Sequence, residues 1–182
     1  MDSLCPVWGK LYRRSLIQKS GARFVDLAEI GSYEDGLFNL EVFGKADRVV
    51  YLAAYLYHYR RDGSSSVTSG YNPRLYDQWQ TLYDRMEAII QSNQLGSEYE
   101  AALNNRIALG ILGLGLNITV STQSMGKKVK DIHRIIRQER YRKAYKNLPL
   151  NYFPIHWKLF YGCARHGFAF GVYVLLTVIQ RI

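Results

Sequence analysis

A chain of 182 residues with 48% apolar and 14% aromatic side chains can bury roughly 70% of the surface that its unfolded form exposes, which excludes a disordered tail or a low-complexity linker. Its two cysteines, Cys5 and Cys163, lie far apart without metal-ligand spacing; they exclude a disulfide scaffold and read as free thiols of a reducing compartment. The net charge of +9 is segregated: residues 127–182 hold 12 of the 24 Lys and Arg but only two of the 15 acids, so an anionic surface suits the C-terminal third.

Residues 1–10 lack the apolar core of a secretory signal. Residues 7–12, VWGKLY, read as a short strand or turn leading into a helical turn near 13–19. A helix is predicted over 34–44, with Leu37, Leu40 and Val42 or Phe43 on its apolar face. Residues 49–52 and 55–60 are rich in β-formers and are predicted strands. In the second, alternation sets Tyr55, Tyr57 and Tyr59 on one face and Leu56, His58 and Arg60 on the other. Residues 61–66 are a loop by composition.

From there the pattern turns helical. Asn72-Pro73 reads as an N-cap followed by proline at the first helical position, with a helix to about 93. Ser97 and Glu100 have capping-box spacing and open a helix to about 119. Gly110, Gly113 and Gly115 either weaken that helix or admit a close neighbour. A basic helical stretch begins at Gly126, and Pro149 and Pro154 bracket a break before a last apolar segment. The expected fold class is thus α/β, or α+β within this chain: residues 1–70 with a few short strands, then a helical region over 71–182.

Glu34 and Asp35 are the first candidates for chemistry. Acids in a first helical turn complement the macrodipole, which is the plain reading. A carboxylate held within hydrogen-bond reach of a sugar hydroxyl can instead take its proton. The dipeptide leaves both open.

Four pieces in order supply a context: VWGKLYRRSLI (7–17), RF (23–24), EDGLFNLEVF (34–43) and VVYLAAYLYHYRRDGSSSVT (49–68). This run resembles the second half of the catalytic domain of family-2, GT-A type glycosyltransferases, above all the bacterial enzymes that build capsule, exopolysaccharide and cell-wall glycans. The combination of W-G-K-L-Y-[RK]-R, E-D-x-x-F-N and Y-x-Y-R-x-x-x-[GS]-S-[SI] carries it, over about residues 5–70. The resemblance implies that Asp35 is the base that deprotonates the acceptor hydroxyl. The oxygen then attacks the anomeric carbon of a nucleotide-sugar with inversion, while Glu34 orients the acceptor or tunes Asp35. Trp8 and Lys10 would lie by the acceptor, Trp8 as a stacking platform; a core Trp8 and a Lys10 paired with an acid are the plain alternatives. The segment 57–60 and the loop 61–66 would close over the donor. Arg60 or Arg61, with Ser65, would face the diphosphate, and His58 would reach a phosphate or the metal unless it is structural.

The resemblance further implies a divalent cation, Mg or Mn, held by a D-x-D motif in a nucleotide-binding N-terminal half. The aspartates here are 2, 26, 35, 47, 62, 77, 84 and 131, and no two have that spacing. The expectation is a C-terminal piece of a longer enzyme, with Met1 an internal methionine, inactive without the missing half. The rival expectation is a non-catalytic module that binds membrane or a partner.

Nine Lys and Arg between 127 and 146, with Val129, Ile132 and Ile136 on one face, make a basic amphipathic helix. It either packs with its charges in water or docks on an anionic membrane; no nucleic-acid motif accompanies it, so nucleic acid is not an expected partner. Residues 167–179 carry no charge, but they fall short of the ~20 needed to span a bilayer and read as an interfacial anchor or a buried helix. Tyr152, Phe153, Trp157, Phe160 and Tyr161 suit a membrane interface or ordinary packing. The expected partners are a nucleotide-sugar, a glycan or lipid-linked acceptor, and an anionic membrane surface met by 127–182; the expected location is cytoplasmic, peripheral on the inner face of a bacterial plasma membrane.

Overall fold

The computed structural model describes residues 5–54, 57–58 and 70–181. Among the described residues every regular element is helical and no strand forms, which corrects the α/β expectation. Residues 49–52 show why. Their side chains are 67–87% exposed, and no neighbouring strand pairs with them among the described residues. β-propensity measures fit to a paired, half-buried surface, and it cannot supply the pair. Residues 57 and 58 are likewise not in a strand; residues 55, 56, 59 and 60 and the loop 61–66 lie outside the described residues.

The chain divides into two compact units, Met1–Ser69 with Arg74–Glu100, and Gly70–Pro73 with Ala101–Ile182. In the first unit, α1 (Arg14–Ser20), α2 (Leu27–Ile30) and α3 (Glu34–Phe43) precede the longer α4 (Leu75–Ser92). Ala22, Phe38 and Val42 form a core joined by Val7, Tyr12, Leu16, Ile17 and Phe43. Phe24 stacks on Phe38 at 4.5 Å and Tyr12 meets Phe38 edge-on at 5.6 Å. On α4, Trp79, Leu82, Tyr83, Met86, Ile89 and Ile90 repeat at three- and four-residue spacing and are buried. The ion pair of Arg85 with Glu29 joins α4 to α2, but both side chains are nearly half exposed, so it adds little stability.

α4 begins at Leu75, after Arg74 as N-cap, so Asn72 is not the cap that its sequence suggests. Asn72 has another task, inside the second unit: the Asn117 amide Nδ2 donates to its carbonyl at 2.8 Å, and its own N–H donates to Asn117 Oδ1 at 2.7 Å.

The second unit contains most of α5 (Ser97–Thr119), then α6 (Met125–Arg137), α7 (Glu139–Asn147), a 3-10 turn (Leu150–Tyr152), α8 (Ile155–His166) and α9 (Ala169–Ile179). The basic stretch is two helices, broken at the extended Gln138. Ile132, Ile135 and Ile136 of α6 and Tyr141, Ala144 and Tyr145 of α7 face inward, while the Lys and Arg side chains other than Lys128 and Arg140 are exposed. By length and composition α5 could cross a bilayer. Within the second unit it packs as a core helix, burying Ile107, Ile111, Leu114 and Ile118. Cations close the helix ends: Lys128 donates to the Thr119 carbonyl at 2.9 Å, and Arg165 donates to the carbonyls of Tyr145 and Leu148 at 2.9 and 2.8 Å.

Candidate functional site

The site is built where the N-terminal segment returns to the head of α3. Glu34 and Asp35 occupy the first turn of that helix, both half-buried. The backbone N–H of Val7 donates to Asp35 Oδ2 at 3.0 Å. One carboxylate oxygen is thereby fixed by a main-chain donor, and Oδ1 has no hydrogen bond among the described residues. A base needs this arrangement: one oxygen oriented, the other able to receive a proton.

Two residues to which the sequence assigned no role, Asn39 of the E-D-x-x-F-N stretch and Tyr33, hold the segment in place. Asn39 is 3% exposed. Its Nδ2 donates to the Cys5 carbonyl at 2.5 Å, and its Oδ1 accepts from the Tyr12 hydroxyl at 2.6 Å. It therefore pins both ends of the 5–12 segment to α3. The Tyr12 hydroxyl is raised above the usual phenol range, first by burial and then by the Asp35 charge, with the Asn39 bond opposing. It stays a donor at neutral pH. The signal in the sequence was a lone Asn between Phe38 and Leu40 in an otherwise apolar run, where an unpaired amide would be costly.

Tyr33 is the other. It precedes α3 at φ 76°, a left-handed conformation that few non-glycine residues adopt. Its hydroxyl lies 2.6 Å from Cys5 Sγ, and its ring covers Gly36 so closely that a Cβ there would stand 2.2 Å from the ring. The glycine of E-D-G thus leaves room for the tyrosine. From below, α4 fixes the same turn: Trp79 Nε1 donates to the Ser32 hydroxyl at 3.1 Å, and Gln78 Nε2 to the Ala28 carbonyl at 3.0 Å.

The other expected site residues fall as follows. Trp8 is 45% exposed and stacks on Tyr57 with ring centroids 5.1 Å apart, so it is a surface tryptophan and not a core one. Lys10 donates from Nζ to the Pro6 carbonyl, closing the 6–10 turn on itself instead of pairing with an acid. His58 follows Tyr57 and is exposed. Arg60, Arg61 and Ser65 lie outside the described residues. The structure therefore brings together Asp35, Glu34, the Trp8–Lys10 turn and Tyr57. Among the described residues no three His, Cys, Asp or Glu side chains converge.

The chain is related to proteins named as glycosyltransferases. EpsJ of Bacillus subtilis is 31% identical over 157 residues, covering 86% of this chain and 44% of its own length. EpsH of the same organism is 34% identical over 102 residues, 56% of this chain and 29% of its own. GlyA of Streptococcus pneumoniae is 31% identical over 161 residues, 82% of this chain and 21% of its own. The chain spans less than half the length of each of these relatives. No family model and no solved structure matches it.

Proposed function

We propose that this chain forms the acceptor side of an inverting, family-2 glycosyltransferase, and that Asp35 is its general base. The observation that carries this reading is the Asp35 carboxylate, held through Oδ2 by the Val7 amide directly beside the exposed Trp8. A sugar ring stacked on the indole would present a hydroxyl to Asp35. The carboxylate would take that proton while the oxygen attacks the anomeric carbon of a nucleotide-sugar and the nucleoside diphosphate leaves from the opposite face. Aromatic platforms suit sugars because the axial C–H face of the ring is apolar while its rim is polar.

No D-x-D motif occurs in the sequence, so the donor's diphosphate and any divalent cation would be held by a separate segment, and the isolated chain would be inactive. Arg60, Arg61, Ser65 and His58 would meet the leaving group. The test uses the chain joined to a donor-binding segment that restores sugar transfer. Asp35→Asn keeps an acceptor for the Val7 amide but no longer takes a proton, and kcat should fall by about 10²- to 10⁴-fold with an unchanged melting temperature. Near-normal turnover of that variant would remove Asp35 from the role. Efficient transfer by the 182-residue chain alone would overturn the need for a second segment.

A further inference from the structure

The second unit exposes an apolar ridge that its own packing does not use. On α9, Val172 and Leu176 are fully buried, whereas Phe170, Val174 and Val178, spaced by four, remain 40–52% exposed. On α8, Phe160, Tyr161 and Ala164 are buried, whereas Ile155 and Leu159 are 80% and 58% exposed. The two lines meet at a seam. Cys163 Sγ lies 3.1 Å from where a Cβ on Gly171 would stand, and the Phe168 ring closes on the same glycine. A groove of about 330 Å³ runs there, lined by Lys158, Leu159, Gly162, Cys163, His166 and Phe168.

Charge decides what covers it. No Asp or Glu follows Glu139, while residues 140–182 contain seven Lys and Arg. Lys158 lines the groove, the Arg137 guanidinium lies against Gly167 beside Phe168, and Arg181 follows two residues after the end of α9. A second copy placed face to face would set these cations against their own kind with no acid to pair them. A nucleic acid would match the charge but leave the ridge wet. A bilayer with anionic headgroups satisfies both, cations at the phosphates and Phe, Leu and Val below them.

We propose that the outer face of the α8–α9 pair docks on an anionic lipid bilayer, lying in the interface and not spanning it. The 11 residues of α9 rise only about 16 Å, roughly half the hydrocarbon thickness. This stands independently of the role given to Asp35.

The test is co-sedimentation of the full chain with vesicles of phosphatidylcholine alone and with about a third phosphatidylglycerol. Binding to the anionic vesicles should exceed binding to the neutral ones by roughly tenfold or more and weaken in high salt. Leu159→Gln with Phe170→Gln should lower it by about tenfold or more without moving the melting temperature, since both side chains are exposed. Lys158→Gln with Arg181→Gln should reduce the preference for anionic lipid while sparing the fold. Equal binding to both vesicle types, no binding, or undiminished binding by both double variants would overturn the proposal. So would a dimer, seen by light scattering, that the Leu159/Phe170 variant dissociates.

Discussion

Asn39 does two jobs with one amide, and neither can be done by an apolar side chain. Asn39→Leu would fill the space but leave the Cys5 carbonyl and the Tyr12 hydroxyl without their partner on α3. A fully buried group left unpaired costs about 1–3 kcal/mol; these two are half-buried, so each falls in the lower part of that range and the variant should lose about 2–4 kcal/mol in urea unfolding. Tyr12→Phe removes one of the two bonds and should lose about 1 kcal/mol. If Asn39→Leu cost no more than Tyr12→Phe, the clamp on the N-terminal segment would not exist. The contrast with Asp35 shows what was legible in the sequence at this scale. The E-D pair at a helix start announces itself by charge and position. Asn39, Tyr33 and Tyr57 act through partners 27 to 49 positions away along the chain, and nothing local in the pattern reports those partners.

At the scale of elements, α9 packs on α6 and α8 and meets α5 at one point, where Gly115 faces Leu176. A Cβ on Gly115 would stand 2.4 Å from Leu176 Cδ1, and Leu176 is fully buried. The close approach is the alternative that the glycines of α5 left open. Gly115→Ala should destabilise by about 1–3 kcal/mol through overpacking, and Leu176→Ala by about 2–5 kcal/mol through the cavity it leaves. In the double variant the new methyl enters the new space. Its loss should fall short of the sum of the single losses by about 1 kcal/mol or more, measured by thermal or denaturant unfolding. Strict additivity would place the two residues out of contact. The helices themselves were largely legible: α3, α4 and α5 carry apolar spacing, and the basic stretch shows its Ile positions, although the break at Gln138 gives no sign of itself. Residues 49–52 were misread because Val, Tyr and Leu suit a strand, yet a strand exists only beside another.

For the molecule as a whole, stability should fall at alkaline pH, and Tyr161 identifies one cause. It is 3% exposed, packed among Phe153, Trp157 and Phe160 at 5.0–6.0 Å, and burial pushes its hydroxyl up to about 12. The folded state thus favours the neutral phenol, while the unfolded chain ionises near the ordinary phenol value of 10.0. The direction follows from the protons bound. Below the unfolded value both states are protonated and this stabilisation is complete; as pH rises toward the folded value the unfolded state sheds its proton first and is favoured. Two units of separation amount to about 2–3 kcal/mol at most, lost between about pH 10 and about pH 12 and constant at neutral pH. Tyr161→Phe keeps the ring among its aromatic neighbours and removes the titration. Urea unfolding at several alkaline pH values should show a shallower decline in that variant than in the parent chain. A decline of identical slope in both would mean that other groups carry the alkaline transition and that the Tyr161 hydroxyl reaches solvent before the second unit opens.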